Sequence, residues 1–188
     1  MHQKTEREKM LSGELYAPSD PELVQLRERK KKYMDAFNVA SADQQERIEL
    51  LRLLLGGIAD DKAWIQGPFY CDYGCNIYLG KNFFANFNFT VLDVGRVEIG
   101  DDVMIAPNVQ LLSATHPLDA KTRNSGRELG FPITIGNAVW LGGGVTVNPG
   151  VTIGDGVVVG SGSVVTKDLP PNVVAVGNPC RVIKHIEQ

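Results

Sequence analysis

From residue 133 onward an aliphatic side chain returns at every sixth position: Ile135, Leu141, Val147, Ile153, Val159 and Val165. Gly136, Gly142, Gly154 and Gly160 follow four of these, and Ile133, Val139, Val145, Val151, Val157 and Ser163 stand two positions before them. A period of six fits neither an amphipathic helix, at about 3.6 residues per turn, nor the plain alternation of a hairpin sheet. It fits a solenoid of hexapeptide rungs, a parallel β-helix in which three rungs close one triangular coil. In each rung the aliphatic residue points into the prism and a small residue turns the corner. The short strand between them stacks on its counterpart ~4.8 Å away.

The same period runs earlier with flaws. Leu79, Ala85 and Val91 precede a two-residue slip, after which Ile99, Ile105 and Leu111 resume the pattern. Thr115 to Phe131 lacks the aliphatic marks and carries His116-Pro117, Asn124, Ser125, Gly126 and Gly130, so residues 112–132 are expected to protrude as a loop. The repeat degrades at Pro170-Pro171, and the tail 178–188 is expected to close the lower end. The fold expected is mainly β, with residues 61–188 forming the β-helix domain.

Residues 1–60 differ in composition, with Lys, Arg, Glu and Leu prominent and Gly scarce before Gly56. Asp20-Pro21 is an N-cap and N1 pair, and Leu23, Leu26, Lys30, Tyr33 and Phe37 follow at helical spacing. Ser41 with Gln44 resembles a capping box ahead of a second helix, whose Ile48, Leu51, Leu54 and Leu55 form one apolar face before Gly56-Gly57. This segment predicts a helical cap over an open coil end. The run Arg27, Arg29, Lys30, Lys31, Lys32 reads as the solvated side of the first of these helices.

A balance of 19 Lys+Arg against 22 Asp+Glu, net charge −3, argues against nucleic-acid and anionic-membrane partners, which select a basic surface. The longest apolar candidate, Ile48 to Ile58, is interrupted by Glu49, Arg52 and two glycines and falls short of the ~18 apolar residues of a membrane span. No secretory signal follows the charged residues Lys4 to Lys9, so a cytoplasmic protein is expected. Cys71, Cys75 and Cys180 make neither an even disulfide set nor paired zinc ligands, and read as reduced thiols.

Chemistry has few carriers here. Of the three histidines, His2, His116 and His185, only His116 lies in the ordered middle, where Pro117 favours an extended backbone that displays the ring. An imidazole there is suited either to general-base work or to a structural contact. One such histidine does not supply a zinc site, so no metal is expected. Nucleophile elbow, Walker and dinucleotide motifs are absent from the sequence. Gly142-Gly143-Gly144 reads as a tight corner that leaves room for another backbone or for a ligand.

Taken with the rungs, several segments resemble the hexapeptide-repeat sugar O-acetyltransferases, the family of maltose, galactoside and nodulation acetyltransferases. They are Glu8-Lys9-Met10, Gly13-Glu14-Leu15-Tyr16, Cys71-Asp72-Tyr73-Gly74, the run Asn82 to Asn88, Ala114-Thr115-His116-Pro117, Arg123-Asn124-Ser125-Gly126, Val139 to Gly142, Asn148 to Asp155 and Gly177-Asn178-Pro179. The Cys-Asp-Tyr-Gly and Arg-Asn-Ser-Gly segments are most similar to the maltose enzymes. The resemblance implies a left-handed β-helix and a homotrimer that binds acetyl-CoA between neighbouring prisms, without a metal. It implies His116 as the base that takes a proton from a sugar hydroxyl, at C6, of maltose or glucose, as that oxygen attacks the thioester directly.

Carried over residue by residue, the resemblance gives Asn86 beside the histidine, Trp140 as an aromatic wall and the Gly143 amide as an oxyanion donor. It puts Ser161, Thr166, Lys167, Arg181 and Lys184 along the coenzyme and Arg27, Asp72 and Asp93 on the acceptor side, with residues 1–60 serving that side. Lys184 stands where some relatives have arginine, and Pro18 and Val94 stand where galactoside-type relatives have carboxylates. Without the resemblance, Trp140 would be read as corner packing and Asn86 as part of an asparagine ladder. Two other readings of the same rungs are an acetyltransferase with a non-sugar acceptor and a non-catalytic binding scaffold.

Overall fold

The computed structural model describes residues 3–40 and 43–187. Three helices open the chain: α1 (Glu6–Leu11), α2 (Pro21–Val39) and α3 (Gln44–Leu54). A three-faced parallel β-helix follows. Its first face stacks β1 (Gly57–Ile58), β4 (Ile77–Leu79), β7 (Val97–Ile99), β12 (Ile133–Ile135) and β15 (Thr152–Ile153). The second face carries β2 (Trp64–Ile65), β5 (Phe84–Ala85), β8 (Met104–Ile105), β13 (Trp140–Leu141), β16 (Val158–Val159) and β18 (Val173–Val176), with β19 (Arg181–His185) antiparallel at its edge. The third face has β3 (Phe69–Cys71), β6 (Phe89–Leu92), β9 (Gln110–Leu112), β14 (Thr146–Val147) and β17 (Val164–Val165).

The hexapeptide period sets this register. Ile135 lies over Ile153, Leu141 over Val159 and Val147 over Val165, so a full coil takes 18 residues. Both aliphatic positions of every rung point inward, and Ile133 to Val165 supply side chains that are at most 2% exposed at those positions. Backbone groups bond between coils, as from the Gly136 amide to the Ile153 carbonyl at 2.8 Å and from Gly142 to Val159 at 2.8 Å. A Cβ on Gly136 would come within 2.7 Å of the Asp155 backbone nitrogen, which is why the corner takes glycine.

The open upper end explains the helices. Asn38 donates to the Phe69 carbonyl at 2.9 Å and accepts from the Phe69 amide at 2.8 Å, replacing the strand that would lie above β3. Arg47 donates to the Ile65 carbonyl at 2.7 Å, with its guanidinium 4.2 Å from the Phe37 ring centroid. Phe37 meets Phe69 edge-on at 6.3 Å, and Phe69 stacks on Phe89 at 5.7 Å, so lid and prism share one core.

Several local expectations change. The cap of α3 is Asp43, which accepts from the Glu46 amide at 2.8 Å; Ser41 lies outside the described residues, as does His2. The second face continues past Pro170-Pro171 by one more strand, β18. The 112–132 segment is ordered: β10 (Ala114–Thr115) pairs antiparallel with β11 (Leu129–Gly130), and α4 (Ala120–Asn124) lies between them with Asp119 as its cap. Cys71 and Cys180 are buried and Cys75 half-buried, all three free. No described helix is long and apolar enough to cross a membrane, and no described group of three or more His, Cys, Asp or Glu could hold a metal ion.

Candidate active site

The two-residue slip after Val91 builds the corner where the candidate residues gather. Asp93, within it, is 0% exposed. Its Oδ1 accepts the amides of Asp72 at 3.1 Å and Tyr73 at 2.8 Å, and its Oδ2 accepts that of Asn76 at 3.2 Å. Burial pushes the Asp93 carboxyl up while these amides pull it back. The expectation that Asp93 touches an acceptor is therefore corrected: its oxygens are committed to backbone, and it holds Asp72 in place.

Asp72 itself lines a cleft of about 300 Å³ with Pro18, Arg27, Tyr73, Val94 and Glu128. Burial, reinforced by the neighbouring Asp93 charge, pushes the Asp72 carboxyl up to about 6. Arg27 leaves the solvated face of α2 to donate to the Tyr73 hydroxyl at 2.8 Å and to the Pro18 carbonyl at 2.7 Å. The other basic residues of that run stay outside; Lys31 pairs with Asp35 at 2.5 Å and Arg29 reaches the Leu53 carbonyl at 2.5 Å.

His116 follows β10 and is exposed. The β10–β11 ladder sets Ala114 opposite Gly130 and Thr115 opposite Leu129, and the Phe131 amide donates to Ser113 at 2.9 Å. His116 and Glu128 flank the open end of this ladder, at positions that its register, continued by one residue, would set opposite each other on one face. That face turns toward the cleft: Glu128 lines it, Ala114 packs on the Tyr16, Tyr73 and Val94 cluster, and a Cβ on Gly130 would meet Val94 at 2.5 Å. On the other edge of Glu128 lies Tyr16, joined by two backbone bonds of 3.2 Å and a hydroxyl-to-carboxylate bond of 2.6 Å. Tyr16, Tyr73 and Glu128 carry no assignment from the sequence. Tyr73 stands in a motif already singled out, whereas Glu128 becomes visible only with the register of β10 and β11.

Asn86, Gly143 and Ser161 fall elsewhere, along the corner between the second and third faces, with Gly143 two coils after Asn86 and Ser161 one coil after Gly143. They lie one hexapeptide from the Asp72 edge, roughly 15–20 Å along an extended strand. The asparagine ladders of the structure are Asn88 to Asn108 at 3.0 Å and Asn82 to Asp102 at 2.8 Å; Asn86 instead accepts the next amide, Phe87, at 2.8 Å. Gly142 and Gly144 donate to the Val159 and Pro107 carbonyls at 2.8 and 2.9 Å, while among the described residues no backbone acceptor takes the Gly143 amide. Gly142 has no room for a Cβ, which would meet Ser161 nitrogen at 2.7 Å, but Gly143 stands clear, 3.5 Å from its nearest neighbour. The glycine corner thus admits a backbone at one residue and leaves space at the next.

Trp140 points outward from the middle of the second face, 49% exposed, in a column with Phe84 and Met104 at 39% and 54%. It is a strand residue rather than corner packing. Lys167 and Arg181 share a cleft of about 310 Å³ with Asp168, Leu169, Cys180 and Val182, and Thr166 precedes Lys167 as an exposed residue. Lys184 lines a separate one with Val174, His185, Ile186 and Glu187.

Comparison with known proteins matches these features. Residues 9–59 fit the maltose acetyltransferase hexapeptide capping motif and residues 132–167 the bacterial transferase hexapeptide, six repeats. The galactoside O-acetyltransferase of Escherichia coli is 48% identical over 179 residues, spanning 95% of this chain and 88% of that protein. The crystal structure of a maltose O-acetyltransferase from Clostridium difficile 630 superposes with a TM-score of 0.93 at 54% identity, over 100% of both chains. A galactoside acetyltransferase in complex with coenzyme A superposes with a TM-score of 0.94 at 45% identity, over 98% of this chain and 92% of that one. The coil period, the helical lid and these matches together make the chain a member of the hexapeptide-repeat acetyltransferase family.

Proposed function

We propose that the protein transfers the acetyl group of acetyl-CoA to the C6 hydroxyl of maltose, glucose or a similar sugar, with His116 as general base. The observation that supports this reading is the β10–β11 ladder, whose open end is flanked by His116 on one strand and on the other by Glu128, a lining residue of the cleft with Arg27 and Asp72. A sugar there meets the Asp72 carboxylate as a hydroxyl acceptor. His116 takes the hydroxyl proton as the oxygen attacks the thioester carbonyl carbon. The tetrahedral oxyanion takes the uncommitted Gly143 N–H. Collapse breaks the C–S bond, and the proton on His116 passes to the departing coenzyme A sulfur, regenerating the base.

Coenzyme A binding in a relative supports the donor assignment. Asn86, Trp140 and Ser161 border the pantetheine, and Thr166, Lys167, Arg181 and Lys184 serve the distal end, where the cations meet phosphates. Residues 1–60 serve the acceptor and residues 61–188 the donor. Because the His116 and Gly143 edges of one prism stand a hexapeptide apart, each site takes His116 from one chain and Gly143 from its neighbour. The homotrimer this requires has the Phe84, Met104 and Trp140 column to bury. The three free thiols fit a reducing cytoplasm.

Val94 and the Pro18 carbonyl line the cleft without offering a carboxylate, which favours glucose-type acceptors over galactosides. Thiol release from acetyl-CoA is measured with maltose, glucose, galactosides, serine and chloramphenicol. Maltose or glucose should give at least about tenfold higher kcat/KM than galactosides. Preference for serine or chloramphenicol, or no release with any acceptor, would overturn the sugar assignment.

A further inference from the structure

Tyr16 pairs with Glu128 as an isolated antiparallel bridge, through both backbone bonds, beside the two-stranded sheet of β10 and β11. Glu128 directly precedes β11 as His116 directly follows β10, so the ladder's register, continued by one residue, would bring their two positions opposite each other. Directly opposed positions project to one side, so that continued register would align Tyr16, Glu128 and His116 in one row. The Tyr16 ring is 0% exposed, between Met10, Leu23, Tyr73 and Val94, and its hydroxyl reaches Glu128 Oε2 at 2.6 Å.

We infer that Tyr16 is a positioning residue for the reaction: by binding Glu128 Oε2 it fixes that carboxylate, and the fixed carboxylate orients the His116 imidazole. The inference rests on the reading of His116 as base. A buried phenol with one acceptor has a single rotamer to satisfy, whereas a free glutamate would sample several. With Oε2 taken by Tyr16, Oε1 is the oxygen left for the neighbour on the opposite strand. An imidazole held by a carboxylate keeps one tautomer and one ring plane, which sets the nitrogen that faces the acceptor hydroxyl. The lid thus reaches into the chemistry without touching a substrate.

The test compares Tyr16→Phe, Glu128→Gln, the double variant and His116→Ala in thiol release with maltose and acetyl-CoA, alongside melting temperature. Tyr16→Phe keeps the buried ring and the backbone pairing. It should lower kcat about tenfold while the acetyl-CoA KM stays at the wild-type value and the fold still melts cooperatively. The double variant should lose no more than Glu128→Gln alone, because the hydroxyl acts through that carboxylate. Wild-type kcat in Tyr16→Phe, or losses that multiply in the double variant, would overturn the inference. Should Tyr16→Phe not fold, Glu128→Gln decides, and a kcat within twofold of wild type overturns it. An inactive His116→Ala beside a fully active Tyr16→Phe sinks the positioning role alone; an active His116→Ala sinks the base assignment and this inference with it.

Discussion

Asp93 and Asp72 stand back to back at one corner of the prism, the Asp93 carboxylate accepting the Asp72 amide at 3.1 Å while the Asp72 side chain faces the cleft. The first carboxylate is structural, held by backbone amides at the slip in the repeat, and the second lines the cleft proposed for the acceptor. Asp93→Asn turns an NH2 toward amides that now find an oxygen. It should destabilise the fold by about 2–4 kcal/mol and raise the acceptor KM, checked by chemical denaturation and steady-state kinetics.

Asp72 sets a pH dependence. Its folded carboxyl titrates near 6, above the model-compound value of 3.8, so the folded state binds the proton more tightly than the unfolded chain. Its contribution to stability is therefore favourable below about 4, declines as pH rises from about 4 to 6, and is flat above that. Asp72→Asn should flatten that segment of a stability-versus-pH series. In function the sign reverses: if Asp72 binds the acceptor as proposed, it does so ionised, and the acceptor KM should rise as pH falls through 6 while the acetyl-CoA KM does not. A KM that follows no such trend, or follows it equally in Asp72→Asn, would contradict the assignment.

One corner offers opposite outcomes for the same pair of residues. Ala138 sits at φ 52, in the column where Asn82, Asp102, Gly156 and Asn172 also have positive φ. Ala138→Gly should therefore be neutral or stabilising by up to about 1 kcal/mol, against the usual loss for such a change. Gly136→Ala, two residues earlier, would drive a Cβ to within 2.7 Å of the Asp155 nitrogen and should cost roughly 2–4 kcal/mol. Thermal melts of both variants settle the pair.

The exposed column Phe84, Met104 and Trp140 predicts association. Light scattering should give the mass of three chains, and Met104→Lys, in the middle of the column, should shift the population toward single chains while the far-ultraviolet spectrum stays unchanged. A wild-type chain that runs as a monomer would contradict the shared site.

The sequence carries the prism plainly because its core is periodic: the inward positions from Leu79 to Val165 repeat in register with the coils, and the slip and the loop show as breaks in that register. The lid is legible as helices, but its junction is not. Asn38 and Arg47 serve carbonyls on strands far along the chain, and no local pattern announces such a partner. For the same reason Asp93 reads as a cleft residue until its three amides are seen. Glu128 is silent in the sequence, and Tyr16 stands there in a motif without a role, because their pairing joins segments 112 residues apart.

On the proposed mechanism His116 takes the acceptor proton. Single-turnover and steady-state thiol release from acetyl-CoA with maltose is to be compared between wild type and His116→Ala. In the variant kcat should fall by at least about a hundredfold with the acetyl-CoA KM unchanged, since general-base catalysis contributes on that scale. Turnover in His116→Ala within a few-fold of wild type would contradict it.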